Sequence, residues 1–427
     1  MKFNKVIKVA LAIDIRLKLG KKKYIFYATT FLGFLIFILS GLLTRGYSLY
    51  SLFQSNKTDY FMDFYNPLSE LLNGPYSHGS IYPPLPLLIY KFLLRFVPYN
   101  IVSHGAFAIR ASQIGEIVFL FYSLITLLTF LVILREVKRG KIMEIYGFIF
   151  FVLFSAPFLF MFERANIIFI ALLFSMVFVF FKDSKNRIIR EVALICLAIS
   201  AGVKLYPALF GLLLLKEKRF KDTFRLLLYG ITAFILPFFA VGGISQLLVL
   251  IKDILTTSNG ALDWGVGYAV NILSIVRIFY GFIGDFGKGP IFIGNTLSYL
   301  VLLFGVISVF LLKSKWKTVA LLSSLMIMVS SVSYVYSLIF MIIPLIMFLD
   351  SEEKLKRMDY LYLICFIFIF VPLTLNNIDF INRGFGSSAR PLTLNVLIQN
   401  IALLTMTVTL ILQGFQEGLK GKNAKKN

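Results

Sequence analysis

A chain of 427 residues that is 59% hydrophobic, 16% aromatic and only 15% charged, with a mean hydropathy of +0.85, is too apolar for a water-soluble fold. Apolar stretches near the length of a bilayer-crossing helix recur along it and predict an all-α polytopic membrane protein. Their lack of period-2 alternation excludes a β-barrel. Cys196 and Cys365 both fall in apolar runs and only two histidines are present, which excludes a disulfide framework and a thiolate metal centre.

In chain order, residues 1–23 (MKFNKVIKVALAIDIRLKLGKKK) read as a basic amphipathic helix lying on the cytoplasmic leaflet. The next run, 24–43, is too long for a signal-peptide core and ends GLLTRG without a cleavage-like A-x-A, so it is expected to remain as the first span. Further spans are predicted at 113–134, 144–162, 166–181, 189–203, 205–215, 225–243, 291–312, 316–333, 335–349, 360–375 and 391–413. The result is one transmembrane domain, 24–413, of about twelve helices. Segments 1–23, 135–143, 182–188, 216–224, 313–315, 350–359 and the basic tail 414–427 then share one side. With the charges at the span ends, that side holds 31 of the 43 basic and 12 of the 21 acidic residues, +19 against +3 for the other. By the positive-inside rule this side is the cytoplasm, which places both termini inside a cell membrane. The net charge of +22 is topogenic, and no nucleic-acid partner is expected.

One stretch resists a simple count. Residues 189–215 could form a single span, but basic residues flank both ends (Arg187 and Arg190 before; Lys216, Lys218, Arg219 and Lys221 after). Two short helices meeting at Lys204-Leu205-Tyr206-Pro207 keep both flanks on the same side. Helices of that length rise only ~22 and ~17 Å, so the turn stays below the far surface. Non-helical backbone at such depth lines a polar cavity or is buried in protein.

Three stretches remain outside, 44–112, 244–290 and the shorter 376–390. "PPLPLLIYKFLLRFVP" and "ISQLLVLIKDIL" are too short or too amphipathic to span and are expected to lie in the interface. The first loop is the most informative, with "TDYFMDFYNPLSELLNGPYSHGSIYPPLP" at 58–86. Asp59 and Asp63 are four residues apart; on a helix they would share a face, and their repulsion would suit one to a base and the other to orienting it or binding the acceptor. Gly74-Pro75-Tyr76 and Tyr82-Pro83-Pro84 fix the path of the loop. Tyr65, Tyr76 and Tyr82 either stack on a sugar or sit at headgroup level. His78 reads as a bystander in the "SHGS" sequence.

Among the cations, Lys204 stands first, because a lysine below the surface costs ~2.5–3.5 kcal/mol on insertion scales unless it snorkels to the interface. Arg164, in Glu163-Arg164-Ala165-Asn166, either meets an anionic substrate or pairs with Glu163. Arg277 in "NILSIVRIFYG" could meet a phosphate or a lipid headgroup. Arg383 and Arg390, in "NRGFGSSARP", have the weakest case.

Four stretches, in order, resemble glycosyltransferase family 87, membrane enzymes of the GT-C fold. They are "FMDFYNPLSELLNGPY…IYPPL", "ERANIIFIALL…AGVKLYPALFGLLLLKEKRF", "GVGYAVNILSIVRIFYG" and "SVSYVYSLIFMIIPLIMF". In the last of these, Tyr334 and Tyr336 stand where the resemblance leads one to expect a histidine or tryptophan. The resemblance implies transfer of one hexose or pentose from a polyprenyl-phosphate donor to a glycan or glycolipid on the outer face. It puts Asp63 forward as base with Asp59 second, Lys204, Arg164 and Arg277 at the donor phosphate, and Asn166, Asn271, Tyr334 and Tyr336 among the substrate contacts. Such chemistry needs a base for the acceptor proton and cations for the departing phosphate. A monophosphate leaving group lets lysine and arginine serve in place of a divalent metal, so no cofactor is required, although the pattern leaves room for a metal. A lipid-linked saccharide transporter would instead show two related halves, and none are visible. A glycan polymerase or ligase would favour a longer late outer loop rich in arginine and histidine.

Overall fold

The computed structural model describes residues 2–53, 56–76, 80–260, 266–351, 356–374 and 392–423. His78, Arg383, Arg390 and the predicted outer loop 376–390 lie outside the described residues. Helix α1, Lys2–Leu43, runs unbroken. The expected surface helix and first span are therefore one element. No proline separates them, and Lys21, Lys22 and Lys23 are good helix formers that carry the helix through.

The first outer segment folds into α2 (Met62–Glu70) and α3 (Pro84–Leu94) with two shorter helices before the next span. There follow α4 (Gln113–Val137), α5 (Ile142–Leu153), α6 (Ala156–Arg164), α7 (Ile168–Phe181) and α8 (Arg187–Val203). A 3-10 turn, Tyr206–Gly211, and a short helix, Leu212–Lys216, bring the chain back to α9 (Phe220–Ile235). The second half comprises α10 (Gln246–Gly260), α11 (Ile272–Phe282), α12 (Lys288–Leu311), α13 (Lys315–Val329), α14 (Ile342–Asp350), α15 (Arg357–Phe370) and α16 (Leu394–Asn423). The described residues form no β-sheet; one isolated antiparallel bridge joins Ala269 to Tyr334.

Among the described residues five helices are long and apolar enough to cross a membrane, and a sixth crossing results if α5 and α6, bent by 56°, count as one span. This is an all-α membrane protein; the remaining predicted spans are shorter helices. Helices α1, α4, α9 and α12 turn rows of leucine, isoleucine and phenylalanine outward, as a lipid-facing wall does. Helix α13 is different: Trp316 to Met328 is buried on every side. Together with the buried turn Val335–Met341 and α14 it forms the centre of the bundle.

Ion pairs follow the division that the charge pattern drew. At one end Lys138 pairs with Asp350, Lys182 with Glu217, Arg219 with Asp183, and Lys317 with Asp359. At the other, Arg164 pairs with Asp59 and Asp63. We expect a cysteine at Thr58 to react with a membrane-impermeant maleimide in intact cells and one at Lys141 to react only after lysis. Both positions are exposed and the native Cys196 and Cys365 are buried. The opposite labelling pattern would invert the topology.

Candidate active site

The carboxylates of the first outer segment do not share a helix. Asp59 closes a 3-10 turn, Lys57–Asp59, and Phe61 takes a left-handed conformation (φ 62°) before α2 begins at Met62. That turn is pinned by the Phe61 amide, which donates to the Glu163 carbonyl at 2.9 Å. A cation, not helix periodicity, then brings the two carboxylates together. Arg164 Nη1 donates to both the carbonyl and Oδ2 of Asp59 at 2.9 Å, and its Nη2 donates to Asp63 Oδ1. Arg164 was expected at a donor phosphate or on Glu163; in the structure its two Nη groups meet Asp59 and Asp63.

Asn166 completes the clamp. Its Nδ2 donates to Asp63 Oδ2 at 2.7 Å while its Oδ1 accepts from the Ile168 amide at 2.9 Å. The second bond fixes the amide orientation and ties the site to the start of α7. Ala165, left-handed at φ 53°, ends α6 and lets Arg164 and Asn166 reach the same carboxylate. The Arg164 side chain is 7% exposed, Asp59 25% and Asp63 19%. The cation is inside, and the carboxylates face the mouth of the site. Tyr90, on α3, donates to the Asp63 carbonyl at 3.1 Å. Sequence reasoning missed Tyr90; the only signal was an aromatic amid the apolar residues of an interfacial helix.

Lys204 arrives from the other direction. Helix α8 ends at Val203, and Lys204 is extended (φ −141°, ψ 131°) before the 3-10 turn opens at Tyr206. Its Nζ lies 4.4 Å from the centre of the Tyr82 ring, a cation–π distance. No carboxylate lies within ion-pair distance of it among the described residues. Asp63 is nevertheless near enough to interact electrostatically with Lys204, Tyr82 and Tyr336. Burial, and secondly the Asp63 charge, push the Tyr82 phenol well above its usual value, so at neutral pH Tyr82 is a hydrogen-bond donor and not a base.

Tyr336 stacks on Phe160 of α6, with ring centres 6.2 Å apart, and lies 5.8 Å from Tyr334. Tyr334 belongs to the short bridge with Ala269, whose flanking bonds run from the Val270 amide to Ser333 and from the Val335 amide to Tyr268. Four chain segments far apart in sequence thus meet around Asp63.

Other expected site residues are held elsewhere. Tyr65 is 1% exposed in the main core, against Phe64 and Phe119. Tyr76 packs on Phe238 and donates to the Tyr82 carbonyl at 3.3 Å, which places it in the support of the loop. Asn271 caps α11 by accepting from the Ser274 amide and donates to the Ser331 carbonyl at 3.1 Å. Arg277 is buried on α11, a helix that packs chiefly on α12. Tyr65, Tyr76 and Asn271 thus make packing and capping contacts in this geometry. Among the described residues no group of three or more His, Cys, Asp or Glu is placed to hold a metal ion; the cation between Asp59 and Asp63 is a guanidinium.

An apolar groove of about 510 Å³ opens beside the helix break. Ala201, Leu205 and Ala208, which flank Lys204 in sequence, line one wall, and Leu226, Gly230 and Phe234 of α9 line the other.

Comparison with curated proteins and with solved structures found no match. The family model of glycosyltransferase family 87 matches residues 80–337. That range includes Tyr82, Arg164, Asn166, Lys204 and Tyr336, and begins just after the segment bearing Asp59 and Asp63. It spans more than half of the chain: this protein belongs to glycosyltransferase family 87 and is a membrane glycosyltransferase.

Proposed function

We propose that the protein moves one sugar from a polyprenyl-phosphate donor to a hydroxyl of a glycan or glycolipid, on the side of the membrane away from the basic segments. The observation that carries this reading is the pair formed by the clamped Asp63 carboxylate and Lys204, which rests on the Tyr82 ring at a helix break whose neighbours Ala201 and Leu205 line an apolar groove. A lipid-borne anion fits that junction, with its hydrocarbon in the groove and its phosphate on Lys204.

In this mechanism Asp63 takes the acceptor proton as the acceptor oxygen attacks the anomeric carbon. The carbon–oxygen bond to phosphate breaks on the opposite face, with inversion, and Lys204 receives the departing charge. Arg164 and Asn166 each donate to Asp63, but a carboxylate has about four acceptor positions, so room for a proton remains. One guanidinium is shared by two carboxylates, so Asp63 keeps a lone pair for the acceptor proton. The acceptor would approach from the open side of Asp63, past Tyr82 and Tyr336.

The test is turnover of a synthetic polyprenyl-phosphate sugar by the purified protein, read as release of polyprenyl phosphate. Lys204→Met should weaken donor binding by about 10- to 100-fold, the usual worth of a hydrogen bond to a charged group, with protein abundance unchanged. Unaltered donor affinity would leave Lys204 as a cation resting on Tyr82 and would remove the phosphate site from the helix break.

A further inference from the structure

The end of the bundle opposite the carboxylates carries a second feature, which the transfer reaction does not use. Helices α8 and α9 lie parallel and packed together, both starting at this end. Between their first turns is an open cavity of about 710 Å³ lined by Arg187, Arg190, Lys221, Arg225 and Glu191. The acidic groups here are already engaged. Glu191 accepts from Arg225 and from the Tyr229 hydroxyl, and Asp222 accepts from Arg219 and Arg225. Arg190 donates to the Ser184 carbonyl. Arg187 and Lys221 have no ion pair or side-chain hydrogen bond among the described residues. Three cations thus lack a countercharge around one concavity.

Its surroundings are those of a lipid rather than a soluble anion. Phe220 and Phe224 line the same cavity and are 65% and 62% exposed. Along the same seam, one to three turns further, a second groove of about 700 Å³ is almost wholly apolar. Ile195 and Ile199 of α8, Thr232 and Leu236 along α9, and Leu85 and Leu88 of α3 wall it. From Phe224 to Leu236 the helix rises ~18 Å, close to the ~15 Å hydrocarbon depth of one leaflet. A charged pocket continued by an apolar groove of leaflet depth matches a phospholipid, with headgroup at one end and acyl chains along the seam. This groove lies on the other side of α9 from the one beside Lys204, so the two lipids would not compete.

We propose that the α8–α9 seam is a binding site for an anionic phospholipid, with its phosphodiester held by Arg187, Arg190 and Lys221. A headgroup with two phosphodiesters should bind more tightly than one with a single phosphodiester. The natural consequence would be to brace α8, whose far end presents Lys204.

The test uses the full chain purified in neutral detergent and titrated separately with cardiolipin, phosphatidylglycerol, phosphatidylcholine and inorganic phosphate. Bound lipid is counted by native mass spectrometry, and thermal unfolding is followed in parallel. Cardiolipin and then phosphatidylglycerol should bind and raise the unfolding midpoint, while phosphatidylcholine should not. Arg187→Gln/Arg190→Gln/Lys221→Gln should weaken cardiolipin binding by about 10²-fold, from ~1 kcal/mol per basic residue at an anionic surface. Lys141→Gln/Lys313→Gln/Lys420→Gln removes equal charge from exposed positions on the same end and should change binding little. Equal loss in both triple variants would mean a diffuse field and would overturn the site. Inorganic phosphate stabilising as well as lipid would overturn the lipid assignment. If the first triple variant does not fold, Lys221→Glu alone, at an exposed residue, should still weaken cardiolipin binding about tenfold, and no change there would refute the proposal.

Discussion

Asp63→Asn should lower sugar transfer by ~10²–10⁴-fold, the usual share of a general base, while leaving donor binding near normal. Asp63 is the carboxylate that interacts electrostatically with Lys204, Tyr82 and Tyr336, and in the proposed mechanism it takes the acceptor proton while Lys204 meets the donor phosphate. The amide preserves the shape but cannot accept the acceptor proton. It also presents one NH2 to a site where Arg164 and Asn166 both donate, so one hydrogen bond is lost and some thermal stability with it. Donor affinity, measured separately by binding of a non-transferable analogue, distinguishes lost chemistry from a lost site. Asp59→Asn should cost less, since Asp59 meets Arg164 through its backbone carbonyl as well as its carboxylate. Near-normal turnover in Asp63→Asn with a dead Asp59→Asn would move the base to Asp59. Activity in both would end the mechanism.

The parts of this site that could be read from sequence were those where physics makes a residue conspicuous. A lysine between two short apolar helices, flanked by basic segments, has few innocent explanations, and Lys204 indeed stands at a helix break in the structure. Charged residues are only 15% of the chain, so each carboxylate beside a span stood out. Aromatics carry no such contrast in a chain that is 16% Phe, Trp and Tyr. Tyr65, Tyr76, Tyr82 and Tyr90 look alike in sequence, yet Tyr65 is core, Tyr76 braces the loop, and Tyr82 and Tyr90 touch the site. Periodicity misled at Asp59 and Asp63, because the left-handed turn at Phe61 separates two elements that spacing alone would join. The partner of Arg164 was equally hidden: the pairing spans about 100 residues and is set by how α2 packs on α6, which no local pattern encodes. Asn271 was put among the substrate contacts by the family resemblance alone; in the structure its short amide caps α11, accepting from the Ser274 amide.

Removing Arg164 should be the most damaging single change for the fold of the site. Arg164→Met keeps most of the volume but leaves Asp59 and Asp63 facing each other without a cation. Breaking a buried pair from one side costs ~3–5 kcal/mol; water reaches these carboxylates, 25% and 19% exposed, so the low end of that range is expected. Thermal unfolding in detergent should show a clear drop, and transfer should fall with it because Asp63 is no longer held. The decisive measurement is the double variant Arg164→Met/Asp59→Asn. If repulsion between the carboxylates is what destabilises Arg164→Met, deleting one charge should restore much of the stability, a coupling that independent sites would not show. Turnover should stay low, since orientation of Asp63 by the guanidinium is still missing. An arginine that bound donor phosphate instead would give another pattern: lost donor affinity, little change in unfolding, and no rescue by Asp59→Asn. That pattern would transfer Arg164 from the clamp to the donor site and leave Asn166 as the principal restraint on the base.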